Sequence, residues 1–161
     1  MIFVTVGTQK FQFNRLLTSI DKLVNENIIN QLVICQSGYS TYKPKNYKVI
    51  PFMDGREYND YIKKCDLLIT HAGVGTIMTA KKYKKPVIVV PRLAKYNEHV
   101  DDHQLQIARG FSKKKLVISC DANDLNSALK RVNDMAFLNY NLNQDNFNSK
   151  LENIIANLNK G

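Results

Sequence analysis

The chain has 161 residues, 44% of them hydrophobic, and a formal net charge of +9. That length supports one sizeable core and is short for two, so one domain over residues 1–161 is expected, burying roughly 70% of its unfolded surface. No apolar run approaches the ~20 residues of a membrane span, and Met1 leads straight into the apolar run Ile2–Val6 with no basic segment before it. A first strand is therefore expected rather than a signal peptide, and a cytoplasmic location with it. Cys35, Cys65 and Cys120 are odd in number and lack C-x-x-C spacing, which indicates neither a disulfide framework nor zinc. The lysines cluster at Lys43–Lys48, Lys63–Lys64, Lys81–Lys85 and Lys113–Lys115 without the interleaved aromatics that stack on bases. They read first as a solvated surface, then as a patch facing an anionic membrane, and only after these as a nucleic-acid site.

In chain order, Ile2–Val6 is a continuous apolar strand ending at Gly7-Thr8-Gln9, and Phe13, Leu16, Leu17, Ile20, Leu23 and Val24 follow at helical spacing. Leu32–Cys35 is a second strand running into the polar turn Gln36-Ser37-Gly38. Tyr47–Phe52 is a third, with Pro51 where a sheet strand should be ending. A helix over about Arg56–Lys64 presents Tyr58, Tyr61 and Ile62 inward. Leu67–Ile69 is the next strand, Ile77–Lys82 belongs to a helix that stops before Pro86, and Val87–Val90 is an all-β-branched strand closed by Pro91. The loop Arg92–Val100 leads into a helix capped by Asp101 or Asp102. Leu116–Ser119 is a sixth strand, Asp121 caps a helix over Ala122–Asn133, the Asn-rich stretch Asn139–Asn148 reads as a linker, and an amphipathic helix is expected over about Phe147–Leu158.

The corner that organises these elements is Asp66–Thr76. An apolar run without alternation, as in a strand buried on both faces, stops at His71, and Gly73 and Gly75 follow at once. The glycines allow a ligand to approach the backbone closely, and the free N–H groups and positive end of the next helix favour an anion such as a pyrophosphate. Glycine is also the ordinary residue of a tight strand-to-helix turn, so the motif alone leaves a purely structural reading open. Strands alternating with helices point to an α/β, Rossmann-like, doubly wound parallel sheet whose ligands sit at the carboxyl ends of the strands. No acidic residue about twenty positions after the first turn suits a dinucleotide ribose, which disfavours a nicotinamide or flavin enzyme.

Val4-Thr5-Val6-Gly7-Thr8, Thr70-His71-Ala72-Gly73-Val74-Gly75-Thr76, Lys85-Pro86-Val87-Ile88-Val89-Val90-Pro91 and His103-Gln104 together resemble the carboxyl-terminal, donor-binding half of family 28 glycosyltransferases. The chain is most similar to the free-standing form of that half, the catalytic subunit of split UDP-sugar transferases. These include the soluble subunit of the eukaryotic dolichol-linked GlcNAc transferase and the bacterial capsular and exopolysaccharide galactosyltransferases. The run from Pro91 to Gln104 most resembles the bacterial capsular group. The resemblance covers essentially Met1–Phe111. It implies the donor-binding half of a GT-B enzyme and inverting displacement without an essential metal or organic cofactor, UDP-sugar being the donor substrate.

By resemblance, Gly7, Thr8 and Gln9 contact the diphosphate, Phe52 and Met53 read the uracil edge through their backbone, His71 to Thr76 form the second phosphate loop, and Gln104, beside His103, holds the donor sugar. The family's ribose-binding Glu falls at Thr79, so either Thr79 makes a weaker bond or another group such as Glu98 takes over. Arg92 and Lys95 balance the diphosphate or simply belong to the basic surface. His71 and Glu98 are the candidate catalytic groups, each with a plain structural alternative: a hydrogen-bonded strand-end histidine able to titrate near neutrality, and a loop charge. His99 and His103 are four apart, yet no third ligand supports a metal. The partners implied are a membrane-anchored glycosyltransferase subunit that recruits the chain to the inner face of the cell membrane, the UDP-sugar (galactose by the capsular resemblance) and a lipid-linked saccharide acceptor. A homo-oligomer is left open. The rival readings are a nucleotide-sugar-binding subunit without catalysis of its own and a basic nucleic-acid-binding α/β protein.

Overall fold

A computed structural model of the chain describes residues 1–140 and, beyond them, only Asn153, Ala156 and Asn157. The element order is β1 (Ile2–Thr5), α1 (Asn14–Asn25), β2 (Val33–Gln36), β3 (Lys48–Ile50), α2 (Gly55–Lys64), β4 (Leu67–Thr70), α3 (Val74–Lys82), β5 (Val87–Val89), α4 (His103–Lys113), β6 (Ile118–Ser119) and α5 (Leu125–Tyr140). Short 3-10 turns cover Ala94–Tyr96 and Ala122–Asp124. The helix expected from Ala122 therefore begins as a 3-10 turn, where the Asp121 carboxylate accepts from Asn123 N, and continues as α5 past the expected end. Tyr140 closes α5, inside the stretch read as a linker. The rest of that linker and the expected helix from Phe147 lie outside the described residues, apart from the three positions named.

The six strands are all parallel, in the order β3-β2-β1-β4-β5-β6. β1 and β4 are adjacent at the centre and the connections diverge from them, which makes the gap beyond their carboxyl ends the topological switch point where such sheets bind ligands. Both strands are buried along their whole length, matching their unbroken apolar runs. One face of the sheet packs on α1 and α5 through Leu16, Leu17, Ile20, Leu125 and Ala128, the other on α2, α3 and α4 through Ile62, Ile77, Ala80, Ala108 and Phe111.

Register sets the site's level. Thr5 lies beside Gln36 on one side and Thr70 on the other, so the turns after β1, β2 and β4 emerge side by side. β3 is shorter than the expected Tyr47–Phe52 because Pro51 turns its carbonyl back to accept from Gly38 N and from Gln36 Nε2. Among the described residues no helix is long and apolar enough to cross a membrane.

Candidate functional site

A cleft of about 430 Å³ opens at the switch point, lined by Gly7, Thr8, Gln36, Met53, Gly55, Tyr58, Gly75, Thr76 and Thr79. Four separate stretches of chain meet there because the parallel register delivers each turn to the same edge. None of these lining residues carries a charged side chain. Attraction for an anion therefore has to come from the backbone. The first turn of α3 supplies it, having no acidic residue and no side-chain cap on Gly73, so its leading N–H groups and the positive end of its dipole stay available.

The two glycines of that turn are there for different reasons. A Cβ on Gly75 would meet nothing within 4 Å, whereas one on Gly73 would fall 2.4 Å from Cε1 of His71. Gly7, in the left-handed region at φ +81°, is crowded in the same way, its Cβ position lying 2.7 Å from His71 Nε2. The His71 ring is thus wedged between the turns after β1 and β4, and only glycine leaves room for it. Gly75 alone of the three faces open space.

Gln36 holds the first turn. Its Oε1 accepts from the Thr5 hydroxyl at 2.6 Å and from Gly7 N at 3.2 Å, while Nε2 donates to Gly7 O at 3.1 Å and Pro51 O at 2.9 Å. Both polar groups of Gly7 are satisfied by one buried side chain, which positions the glycine that φ alone would leave loose. Tyr58 and Thr76 share a hydroxyl hydrogen bond of 2.6 Å across the cleft wall, and the Thr79 hydroxyl donates to Gly75 O at 2.9 Å. Gln36, Gly55 and Tyr58 are lining residues that the motifs do not single out. A polar residue closing an apolar strand is the available signal for Gln36.

Of the residues expected at the site, Gly7, Thr8, Met53, Gly75, Thr76 and Thr79 come together in the cleft. Ala72, Gly73 and Val74 form the turn beneath it, with Ala72 buried. Gln9 is exposed on the following loop, and Phe52 stands exposed at the rim, edge-on to Tyr39 with ring centroids 5.2 Å apart. His103 opens α4 on its exposed side, where the Asp101 carboxylate accepts from its backbone N–H. Asp101, and not the adjacent Asp102, thus caps that helix with its side chain, and Asp102 instead accepts from Ala94 N. His99 pairs with Asp101 and stacks on Phe11. Among the described residues no group of three or more His, Cys, Asp or Glu gathers as a metal site would require.

Four expectations are corrected. Arg92 does not face the diphosphate: it is fully buried, and its guanidinium donates to the carbonyls of Val6, Phe11, Gln12 and Glu98. Burial pulls it down to about 10, so it stays charged at neutral pH. Glu98 is neither a base nor a ribose ligand, because its fully buried carboxylate accepts from Arg15 Nε at 2.8 Å, Arg15 Nη2 at 3.0 Å and Leu93 N at 2.9 Å. Arg15 also reaches Asp121 at 3.1 Å and Pro91 O at 3.1 Å, tying α1 to the loops after β5 and β6. Gln104 is turned inward and nearly buried, with its Oε1 accepting from Ala72 N at 3.2 Å and Arg92 N at 3.0 Å. Finally, His71 does not titrate near neutrality. Burial, with the Arg92 and His99 charges adding to it, pushes its imidazole down to about 3.

The site is therefore a neutral, backbone-lined cleft in front of a buried polar clamp. Comparison with known proteins gives it a family. The model of the glycosyltransferase family 28 C-terminal domain matches residues 1–158. The chain is similar to proteins named UDP-N-acetylglucosamine transferase subunit ALG13: 34% identical over 76 residues to that of Candida albicans, covering 47% of this chain and 25% of the relative. It is 32% identical over 127 residues to the Homo sapiens protein, covering 74% of this chain and 11% of the relative. It thus spans a quarter and about a tenth of those two proteins. In fold it is similar to the glycosyltransferase SnogD of Streptomyces nogalater, with a TM-score of 0.61, 18% identity, and coverage of 98% of this chain and 39% of that one. It is also similar to the solution structure of ALG13, with a TM-score of 0.54, 21% identity, and coverage of 81% and 83%. The match runs through the cleft and the clamp alike, and the chain belongs to the glycosyltransferase family 28 C-terminal domain family.

Proposed function

We propose that the chain is the donor-binding, catalytic subunit of a two-chain inverting glycosyltransferase, moving a hexose from a UDP-sugar to a lipid-linked acceptor. The observation that carries this reading is the cleft at the β1–β4 switch point, where the uncapped start of α3 and the open Cα of Gly75 offer backbone to a diphosphate. In that role the N–H groups stabilise the UDP leaving group, whose charge grows in the transition state. Family membership and the subunit names of the relatives support a UDP-sugar as donor and a second chain as partner. The reading invokes no metal and no organic cofactor.

With Glu98 fully buried and the His71 imidazole pushed down to about 3, this chain presents neither of its two candidate bases in a form suited to take a proton from an acceptor hydroxyl. The base is accordingly assigned to the partner, together with the acceptor and the lobe that excludes water. Positioning of that kind accounts for several kcal/mol of a barrier, so the isolated chain is a poor catalyst. The partner is membrane-anchored and brings this otherwise cytoplasmic chain to the inner face of the membrane. The capsular-type run Pro91–Gln104 favours UDP-galactose as donor in capsular or exopolysaccharide synthesis, and the names of the relatives favour UDP-N-acetylglucosamine.

Calorimetric titration with UDP, followed by transfer assays with each UDP-sugar in the presence and absence of the partner, tests the proposal. UDP binding with transfer that appears on adding the partner is expected. Failure to bind UDP overturns the reading, while binding without transfer in the complete complex leaves a non-catalytic nucleotide-sugar-binding subunit.

A further inference from the structure

Resting on the diphosphate reading of the cleft, a further assignment concerns the residue behind it. Two backbone donors, Ala72 N and Arg92 N, converge on one atom of the Gln104 amide. That atom must be the carbonyl oxygen, because an NH₂ group cannot accept. The amide nitrogen is then the group that faces His71 Nδ1, at 3.3 Å. An NH₂ facing a ring nitrogen donates to it, so Nδ1 is the unprotonated nitrogen and the proton of the neutral ring lies on Nε2. Turned over, the ring would set a carbon against the Gln104 NH₂ and lose that hydrogen bond, so the amide fixes the orientation of the ring as well as its tautomer. Among the described residues Nε2 has no protein acceptor, and it does not belong to the buried unpaired polar atoms. It therefore opens toward the seam between the turns that lead into the cleft.

We propose that Gln104 is a positioning residue for donor binding: it locks His71 as the neutral Nε2–H tautomer, so that an uncharged donor stands at the seam between the two glycine turns to meet an oxygen of a bound nucleoside diphosphate. This gives the glutamine a function through the histidine. It also explains why the ring is worth two glycines: the imidazole sets the spacing of the turns and supplies a hydrogen bond whose charge state does not change with pH. The charged or titratable groups that bear on the ring are the Arg92 guanidinium and the His99 imidazole, and both oppose a second proton on it.

The decisive variant is Gln104→Glu. Its carboxylate still accepts from Ala72 N and Arg92 N but cannot donate to Nδ1, so the ring must place a proton on Nδ1. Above the raised His71 pKa the neutral Nδ1–H tautomer turns an Nε2 lone pair toward the phosphate, and below it the imidazolium restores the Nε2 donor. Because the terminal phosphate of UDP itself titrates near pH 6, the quantity to read is the ratio of the two affinities: Gln104→Glu should bind UDP roughly tenfold more weakly than the parent chain at about pH 8, and the ratio should close toward one as pH falls to about 5. A glutamine that only props up the loop would not produce that pH dependence. Nitrogen-15 spectra of His71 in the unliganded parent chain give an independent reading that needs no variant: a protonated Nε2 and a bare Nδ1, with the Nε2 resonance moving on addition of UDP. A free-state spectrum with the proton on Nδ1, or a UDP complex that leaves His71 unmoved, overturns the proposal while the glycosyltransferase reading stands. A chain with the stated tautomer that fails to bind UDP overturns the nucleotide reading, and the ligand half of this proposal with it.

Discussion

Gly73 and Gly75 stand two residues apart in one turn, yet they belong to different regions of the molecule. Behind Gly73 lies a packed interior in which the Gln104 amide links the His71 ring to the Arg92 backbone, the Arg92 guanidinium donates to four carbonyls, and the Glu98 carboxylate is held by Arg15 and Leu93 N, the His71, Gln104, Arg92 and Glu98 side chains being nearly or fully buried. In front of Gly75 lies a cleft lined by neutral side chains with nothing within 4 Å of where a Cβ would be. Charge is thus stored at the back, where it fixes loops, and withheld from the front, where the proposed function has backbone dipoles receive the ligand. A glycine pair that looks uniform in sequence divides into one position closed by packing and one left open.

The strongest way to break this division is to empty the clamp. Glu98→Ala leaves Arg15 and Leu93 N without their shared acceptor, and removing one partner of a buried pair costs about 3–5 kcal/mol. Urea unfolding should show a loss at the lower end of that range, since the Arg15 side chain keeps 16% of its exposure. An unchanged midpoint would mean that the clamp carries no stability. Gly73→Ala comes next. Its methyl would sit 2.4 Å from the His71 ring, and overpacking of that kind costs about 1–3 kcal/mol. A thermal melt equal to that of the parent chain would show that the ring is free to move away.

The third effect is on acid stability. His71 titrates at 6.5 in the unfolded chain and at about 3 in the folded one. Between those values the unfolded state holds a proton that the folded state lacks, so stability must fall as pH drops through that window. The loss is about 1 kcal/mol at pH 6 relative to pH 8 and grows below it, and a His71→Gln chain should lack the slope. Equal acid sensitivity of the two chains would remove His71 as its source. Smallest in stability and sharpest in function is Gly75→Val, for which unfolding should shift by no more than about 0.5 kcal/mol while UDP binding disappears. Retained UDP affinity in that protein would place the ligand elsewhere.

Much of the architecture is legible in the amino-acid sequence. The unbroken apolar runs of β1 and β4, the helical spacing of Leu16, Leu17, Ile20 and Leu23, and the glycines after two strands point to a doubly wound sheet with its site at the strand ends. Gly7, Thr8, Met53, Gly75, Thr76 and Thr79 meet there. Arg92, Glu98 and Gln104 escape such a reading for a common reason: a polar side chain in a loop, or at the start of a helix, has no local pattern that tells inward from outward. Gln36 escapes it because a strand-end amide reads as part of a turn, although it holds one.

What the sequence determined by itself is therefore whatever short-range physics decides: which segments bury both faces, where the backbone must bend, and which turns can approach an anion. Only the tertiary structure decided which polar groups are spent on the protein and which remain for a ligand, because those choices depend on partners far along the chain. Arg15 meets Glu98 across 83 residues, Arg92 reaches Val6 across 86, and Gln104 finds His71 across 33. A buried donor or acceptor must be paired wherever its partner comes from, and that requirement assigns the side chains behind the cleft to structure and leaves the backbone in front of it free.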